Sequence, residues 1–184
     1  MNFQAPDASP VFDLRAYLLG SWSVDRTLLD RATGTGGTFA GVLRFSRADG
    51  PAVEIGTGAD SPRDDGALSF HEEGTISWTP VRGKPFTGPA SRDYLLRPAD
   101  SPDVLEMYFP DGRPFHRMGF AEHSSHDQHW CEPDTYRVSY TMIGPDEFRY
   151  SWDVTGPAKD QLIETVLRRL GPPQAGHGQP GSQE

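Results

Sequence analysis

The feature that most constrains the fold of this chain is an alternation of apolar and polar residues, in short runs, from about residue 20 to about residue 155. Successive side chains of a β-strand point to opposite faces, so a two-residue period predicts strands with one buried face. Gly, Pro and Asp residues bound the runs, which is typical of turns between antiparallel strands. The runs are 22–28, 39–45, 53–55, 68–70, 76–78, 94–97, 104–109, 115–120, 136–142 and 148–154.

About nine or ten strands at this spacing, with no helix between them, favour an up-and-down meander. A flat meander leaves two unpaired edge strands, whereas a sheet that curls and closes pairs them all. We therefore predict a mainly β fold, a single antiparallel β-barrel over residues 12–171. Residues 1–11 are expected to form a flexible N-terminus, and the polar, Gly-rich residues 172–184 a disordered tail.

One helix is predicted at each end of this domain. Apolar residues of a short helical segment over Phe12–Leu19 could plug one opening of the barrel, and Gly20 ends the segment. After Pro157, which fits the first position of a helix, apolar residues recur at helical spacing over Ala158–Leu170. The sequence thus predicts a C-terminal helix with one apolar face packed on the barrel.

Composition, and the absence of several well-known sequence motifs, exclude some classes of function. The formal net charge is −9, without a Lys/Arg cluster, which disfavours nucleic acids and membrane surfaces as partners. No run of about 18 apolar residues occurs and residues 1–10 lack the features of a signal peptide, so a cytoplasmic location is expected. The single cysteine, Cys131, excludes an intramolecular disulfide. No nucleophile elbow, P-loop or dinucleotide fingerprint is present, and no cofactor is expected from these motifs.

Four segments resemble known families. Gly20-Ser21-Trp22, at the start of the first strand, resembles the Gly-x-Trp entry of lipocalins and other calycins, in which the Trp closes one barrel end. The segments Asp111–His116, His129–Tyr136 and Trp152–Asp160 are similar to a bacterial and fungal family, domain of unknown function 6314, with similarity from about Phe12 to Leu170. This resemblance implies a lipocalin-like barrel and no particular activity, because calycin-like barrels include carriers, haem-binding proteins and enzymes.

Two basic residues share the parity of inward-facing apolar residues. His116 lies on the face of Met118 and Phe120, where burial favours a neutral imidazole that could act as a general base, a ligand anchor or an axial haem ligand. The alternative is a core histidine bonded to a neighbouring strand. Arg26 also has inward parity, and a buried guanidinium needs an anionic partner, either a protein carboxylate such as Asp134 or a carboxylate on a ligand.

Aromatic residues with polar tips dominate the same inner face. Even-numbered residues from Asp134 to Trp152 are predicted to point inward, and such rings can sandwich a flat ligand. The alternative is that the rings simply fill a small barrel. The predicted lining is Trp22, Phe39, Phe45, His116, Tyr136, Tyr140, Tyr150 and Trp152.

A histidine-rich segment offers a possible metal site. His123, His126 and His129 are spaced three residues apart, and Cys131 follows two residues later. Imidazole and thiolate ligands suit zinc or copper. The segment is polar and resembles a loop, which favours solvated side chains for His123 and His126. His129 and Cys131 fall near the start of the predicted strand that continues to Met142, so these two, with His116, are the better metal or haem ligands.

Three functions follow from these residues. The first is a barrel that binds an apolar or aromatic small molecule in a cavity of several hundred cubic ångströms. The second is a cofactor-free enzyme, an isomerase, cyclase or hydrolase of secondary metabolism, with His116 as acid or base and Asp134, Tyr136 or Arg26 polarising the substrate. The third is the metal or haem site just described. None of them indicates an oligomeric state.

Overall fold

A computed structural model of the chain describes residues 12–48, 66–120 and 124–171. These residues form one short helix and ten antiparallel strands, all in one sheet. The elements are α1 (Leu14–Leu18), β1 (Gly20–Asp30), β2 (Thr35–Arg47), β3 (Leu68–Thr79), β4 (Phe86–Pro98), β5 (Val104–Tyr108), β6 (Pro114–Gly119), β7 (Ser124–Cys131), β8 (Asp134–Gly144), β9 (Glu147–Gly156) and β10 (Lys159–Arg169).

The strands form a meander whose first and last strands are neighbours, because β1 pairs with both β2 and β10. The strand order is β6-β5-β4-β3-β2-β1-β10-β9-β8-β7, so β6 and β7 are the two edges. These edges are linked where the Arg117 amide of β6 donates a 2.5 Å hydrogen bond to Asp127 Oδ2 of β7. The predicted antiparallel up-and-down β-barrel is confirmed as a nearly closed barrel.

The predicted strand parity is also confirmed. Val138 and Tyr140 on β8, and Phe148 and Tyr150 on β9, are all 7% exposed or less. The intervening residues on both strands are more exposed, as expected for an outer face. Even-numbered residues of β8 and β9 therefore line the interior.

The predicted C-terminal helix is wrong, because the segment forms β10. Gly156 pairs with Lys159 across a two-residue turn, and β10 then pairs with β9 and β1 along its length. The β-branched residues Ile163 and Thr165 fit a strand, and the strand supplies the hydrogen-bond partners that β1 and β9 need to close the barrel. Tertiary pairing thus overrides helical spacing that covers barely three turns.

Two further local predictions change, and a third stays untested. The runs 68–70 and 76–78 belong to one uninterrupted strand, β3. The histidine-rich segment, predicted to resemble a loop, is the edge strand β7. The run 53–55 lies outside the described residues, as do the termini 1–11 and 172–184, so those predictions stay untested.

The predicted N-terminal helix is confirmed as α1, which closes one end of the barrel. Leu14 and Leu18 are fully buried, and the Leu18 carbonyl accepts a 2.8 Å hydrogen bond from Trp22 Nε1. The Arg169 guanidinium lies 4.1 Å from the centre of a Trp22 ring and donates to the Tyr17 carbonyl. Across the described residues, no helix has both the length and the hydropathy needed to cross a membrane.

Candidate functional site

The middle of the barrel contains a buried ionic network of two arginines and one glutamate. Arg26 donates from Nη1 and Nη2 to the two carboxylate oxygens of Glu72, at 2.9 and 2.7 Å. Arg92 donates from Nε and Nη2 to the same two oxygens, at 2.8 and 3.1 Å. Inward positions of β1, β3 and β4 supply these side chains. Phe39, on the intervening strand β2, lies under Arg26, whose guanidinium carbon is 5.0 Å from the centre of the Phe39 ring. Glu72 is only 1% exposed.

Two hydroxyl groups complete the network. The Tyr150 oxygen accepts hydrogen bonds from Arg26 Nη2 at 2.6 Å and from Arg92 Nη2 at 2.7 Å. Thr165 Oγ1 accepts from Arg26 Nε at 2.9 Å. Since Tyr150 and Thr165 lie on β9 and β10, the network joins opposite sides of the barrel.

The network keeps all three charged groups ionised. Burial alone would raise the pKa of Glu72, but the hydrogen bond from Arg26 and the charge of Arg92 lower that pKa below its ordinary value of 4.5. Burial works against the charge of both arginines, and Tyr150 and Glu72 outweigh it, so the pKa of each guanidinium is raised. The cluster therefore carries two positive charges and one negative charge.

His116 faces the same interior and bonds to a tyrosine. Its Nε2 lies 2.6 Å from the Tyr140 hydroxyl oxygen, and the imidazole is 7% exposed. Burial raises the pKa of Tyr140 well above its ordinary value of 10. Since the phenol stays protonated, its O–H can donate to Nε2 of a neutral imidazole.

Beside His116, three aromatic rings form a parallel stack. The Phe115 ring lies between Tyr94 and Trp152, with ring centres 5.4 Å away on each side and interplanar angles of 19° and 13°. The pairing of β5 with β6 shifts register next to Met107, which pairs with His116. This irregularity lets consecutive residues of β6 reach the interior. We call the space between Tyr94 and Trp152 the aromatic slot.

A narrow central cavity lies between the aromatic slot and the ionic network. The centre of a water molecule has about 20 Å³ in which to move there, which is room for about one water. All the empty space at this position, including what is open to solvent, is about 340 Å³. Side chains therefore largely fill this central cavity, which is much smaller than the predicted several hundred cubic ångströms. Its walls are Leu43, Phe45, Phe70, Arg92, Tyr94, Met107, Phe115, His116, Met118, Tyr140, Phe148, Tyr150 and Trp152.

The four residues predicted to act on a substrate lie in three separate places. Arg26 belongs to the ionic network and His116 to the tyrosine pair. Asp134 and Tyr136 lie at the end of the barrel away from α1, where Lys159 Nζ is 2.6 Å from Asp134 Oδ2 and 2.9 Å from the Tyr136 hydroxyl. The structure thus pairs Arg26 with Glu72 and not with Asp134, and it does not gather the four side chains around one point.

The predicted ligand-binding residues divide between the cavity wall and its surroundings. Phe45, Tyr140, Tyr150 and Trp152 line the central cavity. Trp22 is buried at the closed end, against α1. Phe39 packs under Arg26, outside the cavity wall.

The metal prediction falls largely on side chains outside the described residues. The backbone of His129 and Cys131 lies in β7, but neither side chain is described. His116 is described and contacts Tyr140. Among the side chains that the structure does describe, no three His, Cys, Asp or Glu residues are grouped as a metal site.

Sequence reasoning missed Glu72 and Arg92. In the single strand β3, Glu72 has the same parity as Leu68 and Phe70 and therefore points inward. The sequence runs 68–70 and 76–78 divided this strand in two, and Glu72 lay in neither run. Arg92 has the parity of Tyr94 on β4. The signal for this ion pair would have been charged residues of opposite sign with inward parity on neighbouring strands.

Comparison with known proteins supports the fold. The chain is similar to an S-type phycobiliprotein lyase from Guillardia theta, with 11% identity over 86% of this chain and 91% of that chain and a TM-score of 0.55. It is also similar to a protein of unknown function from the DUF3598 family of Nostoc punctiforme, with 10% identity over 88% of this chain and 51% of that chain and a TM-score of 0.56. At such identities the likeness concerns the fold alone.

Family membership is established by sequence. No curated protein sequence matches the chain. The lipocalin-like barrel and the family that the resemblance implied are both confirmed. Since the model of DUF6314, a family of unknown function, matches residues 18–169, this chain belongs to the DUF6314 family.

Proposed function

We propose that this barrel binds a flat, aromatic small molecule in its interior, in the aromatic slot and the central cavity beside it. The observation that carries the proposal is the parallel stack of Tyr94, Phe115 and Trp152. Offset-stacked rings at this spacing are a favourable arrangement for aromatic groups. Phe115 thus occupies the position in which a flat ligand would have a ring on each side.

Phe115 is also suited to leave this position. It lies next to Pro114, at the start of the edge strand β6, and the structure leaves it half-buried. Its ring also contacts Phe109, at a centre distance of 4.7 Å, in the turn between β5 and β6. Rotation of the ring toward that turn would open the aromatic slot and join it to the central cavity.

Polar groups at the cavity wall can orient such a ligand. Arg92, His116, Tyr140 and Tyr150 have polar atoms at or near the cavity, among rings that supply apolar surface. A few polar groups in an otherwise apolar wall are typical of small-molecule sites. The similar phycobiliprotein lyase acts, by its name, on a phycobiliprotein, and its barrel fold is compatible with the binding of a small molecule.

The proposal is tested by fluorescence titration with N-phenyl-1-naphthylamine, a neutral probe of fused and single aromatic rings. We expect saturable binding to the wild-type protein and about tenfold tighter binding to Phe115→Ala, because that variant no longer has to displace the ring. Trp152→Leu, which removes one side of the aromatic slot, should weaken binding. Leu29→Ala is the matched control, since Leu29 is 41% exposed on the outer face of β1.

Circular dichroism would verify that each variant keeps the strand content of the wild type. Equal affinities across wild type, Phe115→Ala and Trp152→Leu would place the probe elsewhere on the protein and contradict the proposal. So would the absence of saturable binding to both the wild type and Phe115→Ala.

A further inference from the structure

We propose that the ligand of the barrel carries an oxyanion, a carboxylate or a sulfonate, which binds to the Arg92 guanidinium. This inference rests on the proposed function and specifies the chemical class of the ligand. It starts from the charge balance of the ionic network. Among the described residues, Glu72 is the one carboxylate that contacts either guanidinium, so Arg26 and Arg92 together exceed it by one positive charge.

An uncompensated charge is costly inside a barrel. Moving an ion out of water costs several kcal/mol unless an opposite charge and hydrogen bonds compensate it. This excess positive charge is opposite in sign to the formal net charge of the whole chain, which is −9. A local positive excess in the interior of an acidic protein is therefore a candidate anion site.

The two arginines differ in what they have left to donate. Arg26 uses all three of its nitrogens, donating to Glu72, Tyr150 and Thr165, and its side chain is 9% exposed. Arg92 donates only from Nε and Nη2, and its side chain is 33% exposed. Arg92 Nη1 makes no hydrogen bond within the described part of the chain, so Arg92 is the arginine with donors available to a ligand.

The position of Arg92 matches that of the aromatic slot. Arg92 and Tyr94 are two residues apart on β4, so both side chains point inward and are separated by about 7 Å along the strand. Both line the central cavity, opposite Trp152. A flat ring between Tyr94 and Trp152 could therefore direct an acidic substituent to Arg92 Nη1 without disturbing the bonds between Arg92 and Glu72.

Two probes with the same rings isolate the charge. 8-Anilinonaphthalene-1-sulfonate carries a permanent sulfonate, and N-phenyl-1-naphthylamine lacks it. We expect the wild-type protein to bind the sulfonate about tenfold more tightly than the neutral probe, the gain expected from one charge-assisted hydrogen bond. Arg92→Gln should bind the sulfonate about tenfold more weakly than the wild type does, and its affinity for the neutral probe should change less than twofold.

Arg149→Gln is the matched control, because Arg149 is exposed on the outer face of β9 and pairs with Glu147. It should leave both affinities unchanged. Arg92→Gln leaves one guanidinium opposite Glu72, and its fold is verified by urea unfolding. If this variant does not fold, the difference in affinity between the two probes on the wild-type protein still tests the anion site.

The outcomes separate this inference from the function on which it rests. If the wild-type protein binds the neutral probe in the aromatic slot at least as tightly as the sulfonate, the ligand-binding function stands and the anion site is overturned. An equal loss of affinity for both probes in Arg92→Gln also overturns the anion site. If neither probe binds to the wild type or to Phe115→Ala, both the function and the anion site are overturned.

Discussion

At the scale of single residues, the interior is organised around Glu72, which accepts four hydrogen bonds from two guanidinium groups while 1% exposed. Removing one partner of a buried ion pair costs more than the pair itself contributes, because the remaining charge is buried without compensation. Here the removal of one carboxylate would leave two guanidinium groups without a carboxylate partner, that of Arg26 buried and that of Arg92 one-third exposed.

We therefore predict that Glu72→Gln lowers the free energy of unfolding by about 3 kcal/mol or more at pH 7. Urea denaturation measures the loss. The matched control is Glu106→Gln, because Glu106 also pairs with an arginine, Arg117, but on the outer surface. Solvent weakens such a pair, so the control should change stability far less. Equal effects of the two substitutions would show that the network does not stabilise the fold.

The pH dependence of the same variant gives a second prediction. The folded-state pKa of Glu72 lies below its ordinary value of 4.5, so its contribution to stability is present above about that pH and is lost as the pH falls through the folded-state pKa. The difference in unfolding free energy between wild type and Glu72→Gln should be constant from pH 5 to 7 and shrink below about pH 4.5. A difference that grows on acidification would contradict the assignment.

Single residues also show how far the sequence predicts the site. Parity alone identified Arg26, Tyr140, Tyr150 and Trp152 as inward-facing, because strand alternation is a local property. It did not identify Phe115, whose odd position places it on the outer face of a regular strand. An irregularity in pairing depends on two strands at once and leaves no trace in the alternation of one.

At the scale of elements, β2 and β3 approach closely at a pair of glycines. Gly41 and Gly74 face each other, and the Phe39 ring covers them. A Cβ added at Gly74 would lie 2.6 Å from the Gly41 Cα and 2.7 Å from Phe39 Cζ. Such closeness lets the sheet bend sharply, as closure of a barrel requires.

We predict that Gly74→Ala destabilises the protein by about 1 to 3 kcal/mol, the usual cost of overpacking, because backbone and not only a flexible side chain obstructs the methyl group. Thermal unfolding measures the effect. Gly144→Ala is the control, since a Cβ there meets nothing within 4 Å. If Gly74→Ala is as stable as the wild type, the two strands are farther apart than described.

Elements also show where sequence prediction fails. The apolar residues of β10 fit a helix and a strand almost equally well over eleven residues. The segment forms a strand because β10 pairs with both β1 and β9. These two strands lie more than a hundred residues apart in the sequence. Long-range pairing of this kind cannot be deduced from local periodicity.

At the scale of the whole molecule, the barrel has a closed end, a polar middle and an aromatic wall. The helix α1, Trp22 and Arg169 close one end. The ionic network joins strands across the middle, and the aromatic slot lies beside it, next to the edges β6 and β7. The fold could be predicted from alternation and turn residues, whereas the narrowness of the cavity could not, since it depends on how every inner side chain packs.

The central claim is that the aromatic slot receives a ligand in place of Phe115. A crystal structure of the protein with N-phenyl-1-naphthylamine tests it most directly. We predict an aromatic ring of the probe between Tyr94 and Trp152, with the Phe115 ring displaced toward Phe109. A probe bound only on the outer surface, with Phe115 still stacked between the two rings, would contradict the account.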